Sequence, residues 1–395
     1  MLRKINFIFL SLVLPFVLLM FFSDNTWAFP EMVRAGYTNC ITCHVAPTGG
    51  GILTPYGRAL SKEFMSHGSF FFENVQKEES APAVTESHEE DFLYGLVRPP
   101  EWLNLGGDFR FLQLYMNTHT MIVSDYIFMQ EDLEFAASAS RFVLDATVGK
   151  NDNPQPKVFT DNLLSRRHFL ITKLWTEADP DKLQLVVGRF YRAYGLNIAE
   201  HNIVTRQALG FDQDQETYNA ELAWIDENLN VYLTHTFGRP DQPDLKVESG
   251  ESLQVSVPVG TSNKIGVNAY TGLAQNQPSS ARRDLVGNYA ILGFTPHFYS
   301  LVETDGTYTQ AMGWGFVDYF KLAYEVSKGV NFYFTQELQR RTYLDPTQTY
   351  QAYGLGLQYF PRTHWEFTGV LSEQKDAFIS PYFGFATWGM VHYYF

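Results

Sequence analysis

The stretch EDLEFAASASRFVLDATVG, residues 131–149, contains two runs in which apolar and polar side chains alternate, joined by two small residues. In the first run, Leu133, Phe135 and Ala137 fall on one face of an extended chain, and Asp132 and Glu134 fall on the other. Alternation of this kind is typical of a strand with one apolar and one polar face. The stretch therefore predicts an antiparallel hairpin.

The same pattern recurs from Leu103 to the end of the chain. We predict about sixteen strands, an even number within the range of single-chain membrane barrels. Their predicted ranges are 104–115, 131–138, 141–148, 167–176, 182–190, 217–225, 230–237, 252–259, 265–273, 285–295, 297–308, 315–326, 330–339, 350–360, 364–372 and 387–395.

The connections between these strands differ in length in a regular way. Those after even-numbered strands are short, such as DENL, GTSN and SKG, whereas those after odd-numbered strands are mostly longer, including residues 191–215. Outer-membrane barrels have short periplasmic turns and longer external loops. We therefore expect Phe395 in the periplasmic half and residues 191–215 either outside the cell or folded into the lumen. A soluble all-β protein has no reason to show this asymmetry.

Composition agrees with a membrane barrel. Aromatic residues make up 16% of the chain, and the formal net charge is -14. This acidic balance argues against a nucleic-acid partner and favours cationic solutes. The polar faces of the strands predict an acidic lumen that includes Asp132, Glu134, Glu221 and Glu337, which could concentrate a cation such as Fe²⁺.

Residues 1–28 have the features of a cleaved signal peptide. Arg3 and Lys4 precede an apolar run, and small residues at Thr26 and Ala28 suggest cleavage after Ala28. The alternative is an uncleaved membrane anchor, but the run is short for a spanning helix and contains Pro15. We expect an exported protein of the outer membrane.

The only two cysteines lie in NCITCHV, where Cys40, Cys43 and His44 form a Cys-x-x-Cys-His motif. This spacing is typical of covalent haem c attachment, with two thiols for the vinyl groups and an adjacent imidazole for the iron. A zinc site requires about four ligands, and a redox dithiol usually sits on a thioredoxin-like unit. We predict one covalent haem c, with Cys40 and Cys43 as the attachment points and His44 as the proximal ligand.

The sequence identifies the second iron ligand less clearly than the first. If a helix over residues 58–66 continues for one further turn, His67 shares a face with Leu60 and Phe64, whereas Met65 lies to the side. His67 is therefore the predicted distal ligand. Met65 remains an alternative, and so do His364 and His392, which are predicted to point into the lumen near the periplasmic rim.

These features predict an all-β protein, a transmembrane antiparallel barrel of about sixteen strands with a small N-terminal haem c domain. The predicted parts are a signal peptide (1–28), a monohaem cytochrome c-like domain (29–72), an acidic linker (73–102) and an outer-membrane barrel (103–395). An exported chain with one CITCH motif before such a barrel resembles the fused monohaem cytochrome-porins of the bacterial outer membrane. At residue level, the resemblance covers Cys40, Cys43 and His44.

Members of that family are associated with oxidation of extracellular ferrous iron, so the resemblance implies an Fe(II)-oxidising electron-transfer cytochrome. Its partners would be a periplasmic cytochrome, an external electron donor or acceptor, and outer-membrane lipid. Two other classes compete with this hypothesis. One is a solute porin whose haem domain acts as a plug or sensor, and the other is a structural or adhesive barrel.

Overall fold

The computed structural model describes residues 32–68, 89–118, 121–150, 163–174, 182–198, 200, 203–212, 215–241, 248–274 and 281–395. In these residues, sixteen antiparallel strands close into one barrel, because the first strand pairs with both the second and the last. The predicted all-β, sixteen-stranded barrel is confirmed. The strands are β1 (Leu103–Asn117), β2 (Ile122–Ala139), β3 (Phe142–Lys150), β4 (Leu163–Leu174), β5 (Leu183–Phe190), β6 (Thr217–Ile225), β7 (Asn230–Gly238), β8 (Glu248–Val259), β9 (Asn263–Ala274), β10 (Ala281–Gly293), β11 (Phe298–Thr309), β12 (Gly313–Ser327), β13 (Val330–Arg340), β14 (Thr349–Tyr359), β15 (Trp365–Asp376) and β16 (Gly384–Tyr394).

The two faces of the strands are those predicted from the alternation. Leu133 on β2 is 57% exposed and Leu222 on β6 is 42% exposed, whereas their neighbours Glu134 and Glu221 are 4% and 0% exposed. Apolar side chains thus cover the outside of the barrel and polar side chains line its lumen, which is the arrangement of a barrel surrounded by lipid. Among the described residues, no helix has the length and apolar character needed to cross a membrane.

The connections keep the predicted asymmetry. Most turns after even-numbered strands are short, as at residues 140–141 and 328–329, whereas eight residues, 175–182, join β4 to β5. The end of the chain at Phe395 lies on the same side as these turns, against Gly107. Two connections on the other side, at residues 118–121 and 310–312, are also short. We refer to the two ends of the barrel as the short-turn end and the long-loop end. Short turns face the periplasm in bacterial barrels.

The loop between β5 and β6 folds into the lumen, which is one of its two predicted positions. The backbone N–H of Leu196 donates to Glu303 Oε2 at 2.9 Å, and the Tyr194 hydroxyl donates to Asp305 Oδ1 at 2.8 Å. Gly195 lies between them with φ +60°, and a Cβ there would lie 1.6 Å from Glu303 Oε1. Only glycine allows the loop to turn this tightly around a buried carboxylate.

Further along this loop, Val204–Gln207 forms one turn of helix. The backbone N–H of Val204 donates to Glu337 Oε2 on β13 at 2.8 Å. The loop therefore has bonds to β11 and β13 and divides the lumen into two halves.

Candidate cofactor site

Residues 32–68 occupy the lumen at the short-turn end. The Asn230 side chain at the start of β7 donates to Asn39 Oδ1 at 2.7 Å, and Lys264 Nζ on β9 donates to the carbonyl of Thr38 at 2.7 Å. Both partners lie beside short turns, so the segment closes that end of the barrel from within. The predicted signal peptide (1–28) and residues 73–88 of the predicted linker lie outside the described residues.

The start of this segment is held by a buried ion pair. Arg34 Nη2 lies 2.8 Å from Glu325 Oε2 on β12, and the Arg34 guanidinium lies 5.0 Å from the centroid of the Tyr299 ring. Arg34 is 6% exposed. Removing one member of such a buried pair is destabilising, because the other charge then loses its counter-ion.

The Cys-x-x-Cys-His motif forms one tight turn. Cys40–Thr42 is a 3-10 turn, and the backbone N–H of His44 donates to the carbonyl of Cys40 at 2.9 Å. The helix α1 (Pro55–Leu60) follows, with Pro55 at its first position and the Thr54 hydroxyl accepting from the N–H of Gly57. Proline at the first position and threonine at the N-cap both favour a helix start here.

Helix α1 packs directly against the motif. A Cβ on Gly57 would lie 2.3 Å from the carbonyl oxygen of Cys43, so glycine is required for this contact. The other side of α1 faces the barrel, where Arg58 Nη2 donates to Asn104 Oδ1 at 2.7 Å and Asn104 Nδ2 donates to the carbonyl of Leu53 at 2.6 Å. These contacts fix the motif relative to β1.

A cavity of about 470 Å³ opens beside the motif, within the short-turn half of the lumen. Cys40, Cys43, His44 and Met65 all line it, and both cysteines are free thiols. We call this space the inner cavity. Its polar lining includes Asp108, Arg110, Asp132, Glu134, Arg166, Arg167, Glu366 and His392.

Burial favours the uncharged form of two side chains in the motif, His44 and Cys43. Burial lowers the pKa of His44, and its Nδ1 atom has no hydrogen-bond partner among the described residues. The neutral imidazole is the form that ligates iron. Burial, and then the neighbouring Cys40, raise the pKa of Cys43 to about 11. In the described part of the chain, no group of three or more His, Cys, Asp or Glu side chains is arranged to hold a metal ion.

The helix that would have carried His67 ends earlier than predicted. A π-helical turn, Ser61–Met65, follows α1, and Ser66 is extended with ψ 126°. The chain leaves the helix here because the N–H of His67 donates to the carbonyl of Phe360, in the turn between β14 and β15, at 2.8 Å. His67 consequently does not line the inner cavity, whereas Met65 does.

The remaining two candidates for the distal ligand have other contacts. His392 lines the inner cavity, but its ring nitrogens lie 2.7 Å from Asp108 Oδ1 and 2.8 Å from Glu366 Oε2. His364 has φ 74° in the turn before β15, and its ring centroid lies 5.0 Å from that of Tyr94. His364 does not line the inner cavity.

Two of the four carboxylates of the predicted acidic lumen are in ion pairs. Asp132 pairs with Arg166 at 3.0 Å and Glu134 pairs with Arg167, whereas Glu221 accepts from the Thr234 hydroxyl at 2.8 Å. Attraction of a cation to these carboxylates stays a prediction. Arg166 precedes the predicted strand 167–176 and Arg167 begins it, but only the register of β2, β3 and β4 brings them to Asp132 and Glu134.

The barrel is similar to solved structures of outer-membrane porins. An anion-selective porin from Comamonas acidovorans has 10% identity and a TM-score of 0.55, covering 74% of this chain and 99% of that chain. Outer-membrane expressed OmpT of Vibrio cholerae has 9% identity and a TM-score of 0.55, covering 76% and 100%. OprB of Pseudomonas putida, at high pH, has 9% identity and a TM-score of 0.55, covering 74% and 94%.

At these identities, the likeness establishes the fold alone. No protein-family model matches the chain, and no curated protein matches it. The resemblance to fused cytochrome-porins is carried by the Cys-x-x-Cys-His motif and not by these structures.

Proposed function

We propose that this protein is an outer-membrane electron-transfer protein with one covalent haem c in the inner cavity. It would carry electrons between a periplasmic cytochrome and an external donor or acceptor, with ferrous iron as a possible donor. The observation that carries the proposal is that Cys40, Cys43, His44 and Met65 line one cavity inside a membrane barrel. Haem c supplies one-electron transfer at its iron when it is bound.

The residues around the inner cavity fit this cofactor. Cys40 and Cys43 would hold it covalently, and His44 would ligate its iron on the proximal side. Met65 fits the distal position better than His67, since Met65 lines the cavity. Methionine in this position raises the reduction potential relative to a second histidine. The surrounding barrel wall and the β5–β6 loop would exclude bulk water from the cofactor.

A solute porin closed by residues 32–68 is the second candidate, and the likeness to porin structures favours it. The burial of several lumen side chains argues against free diffusion of solutes through the described barrel. Glu221, Thr234 and Asp305 face the lumen and are each 0% exposed, because the loop and the N-terminal segment cover them. A solute channel would need these elements to move.

The test uses the protein reconstituted in liposomes that contain an oxidised periplasmic cytochrome, with a membrane-impermeant reductant outside. We expect reduction inside the liposomes to require both thiols, so that the variant with Cys40→Ala and Cys43→Ala loses it. Denaturing gels stained for haem should show a band for the wild type alone. Equal rates for the two proteins would support the porin instead, as would solute uptake without electron transfer.

A further inference from the structure

A second cavity, of about 540 Å³, lies in the long-loop half of the lumen. Its floor includes Val204 of the β5–β6 loop, and its walls are outer portions of β13, β14 and β15. We call it the outer cavity. Its hydrogen-bonding lining includes Thr335, Glu337, Gln339, Ser372 and Gln374.

Among the described residues, three line both the inner and the outer cavity, namely Glu200, Tyr333 and Trp388. Tyr333 is held in position by its partner across the strands, since a Cβ on Gly356 would lie 2.0 Å from Tyr333 Cζ. Trp388 packs against the buried cluster to which Tyr333 belongs. Two aromatic side chains of one packed cluster therefore adjoin both cavities.

The polar part of the partition is an ion pair. Lys321 Nζ lies 2.6 Å from Glu200 Oε1 and 4.4 Å from the centroid of the Tyr333 ring. The Lys321 side chain is 3% exposed. The pair thus lies beside the Tyr333 ring, between the two cavities.

We propose that Tyr333 and Trp388 form the bridge through which electrons pass between the haem cavity and a small, water-soluble redox partner in the outer cavity. This inference rests on the proposed function. One electron would leave the partner, which is thereby oxidised, and would pass to the cofactor that Cys40, Cys43 and His44 would hold, which is thereby reduced, with no bond made or broken. The rate of electron tunnelling falls exponentially with distance, and it falls faster across a gap than through packed atoms. Two aromatic rings that line both cavities therefore favour electron transfer between them.

The size and lining of the outer cavity define the partner. A cavity of about 540 Å³ admits a small molecule or metal complex and excludes a folded protein. Three of its charged lining residues are in ion pairs, Glu200 with Lys321 and Arg341 with Asp376 at 2.8 Å. Glu337 accepts from the backbone N–H of Val204, and other hydrogen-bonding groups make up much of the remaining lining. A lining of this kind suits a small polar partner, cationic or neutral.

The experiment uses the same liposomes, with hexaammineruthenium(II) as the external reductant. We expect Trp388→Leu and Tyr333→Leu each to slow internal reduction by about tenfold or more, the change that about 1.4 kcal/mol of barrier produces. Trp388→Phe should restore much of the rate. Tyr353→Leu is the matched control, because Tyr353 on β14 lines neither cavity and is 41% exposed on the outside of the barrel.

Two further readouts separate a bridge from a structural role. The haem spectrum and midpoint potential of the leucine variants should equal those of the wild type. The same reductant coupled to a large dextran should be slow with every protein. Wild-type rates in both leucine variants, or equal rates with free and coupled reductant, would overturn the bridge while leaving the proposed function intact. A wild type that transfers no electrons would overturn both.

Discussion

Substitution of Arg34 tests whether the segment with the haem motif is docked in the lumen. Arg34 and Glu325 lie 2.8 Å apart, with side chains that are 7% and 11% exposed. Removing one partner of a buried pair costs about 3–5 kcal/mol, because the other charge loses its counter-ion. Without Arg34, Glu325 would keep the N–H of Gly329 at 3.2 Å and His297 Nδ1 at 3.5 Å. At about 1.4 kcal/mol per factor of ten, Arg34→Ala should raise the open population of residues 32–38 between about 100-fold and a few thousand-fold.

Hydrogen exchange measured by mass spectrometry on a peptide covering residues 32–38 reports this population directly. Glu325→Gln should accelerate exchange in the same peptide. The control is Arg282→Ala, since Arg282 lies 2.8 Å from Asp284 but is 59% exposed, and such surface pairs contribute about 0–1 kcal/mol. If Arg34→Ala exchanges no faster than Arg282→Ala, the docking of this segment on β12 is wrong.

Three other outcomes follow from the same contacts. Gly57→Ala should lower the yield of haem-stained protein, because its Cβ would lie 2.3 Å from the carbonyl oxygen of Cys43 and such overpacking costs about 1–3 kcal/mol; a normal yield would contradict the packing. Met65→Ala should change the low-spin optical spectrum and His67→Ala should leave it unaltered, and the reverse result would restore His67 as the distal ligand. Protease applied to intact cells should cut outer loops and spare Lys328, whereas cleavage at Lys328 would invert the topology.

Much of the barrel could be predicted because strand alternation is a local signal. The strand predicted at 217–225 has the same bounds as β6, Thr217–Ile225. The largest difference is at β2, which begins at Ile122 instead of residue 131. The extension comes from pairing with β1, in which Asn117 pairs with Ile122. Alternation alone does not reveal which strand a segment pairs with.

The site was less predictable because it depends on contacts between distant parts of the chain. The Cys-x-x-Cys-His motif is local and could be recognised from its spacing. The end of the following helix depends on the N–H of His67 finding the carbonyl of Phe360, which lies in the turn between β14 and β15. The pairing of Glu134 with Arg167 likewise depends on sheet register. Neither contact leaves a periodic trace in the sequence.

The packing of the lumen bears on which of the two proposed functions is physically easier. A solute path needs space, and creating it would break the bonds of the β5–β6 loop to Glu303, Asp305 and Glu337. Each bond contributes about 0.5–1.5 kcal/mol, and a carboxylate left buried without its donor costs more. Electron transfer is favoured by the same packing, because packed atoms between the two cavities shorten the empty space that an electron would have to cross. The contacts that oppose diffusion through this lumen are therefore the contacts that would assist electron transfer across it.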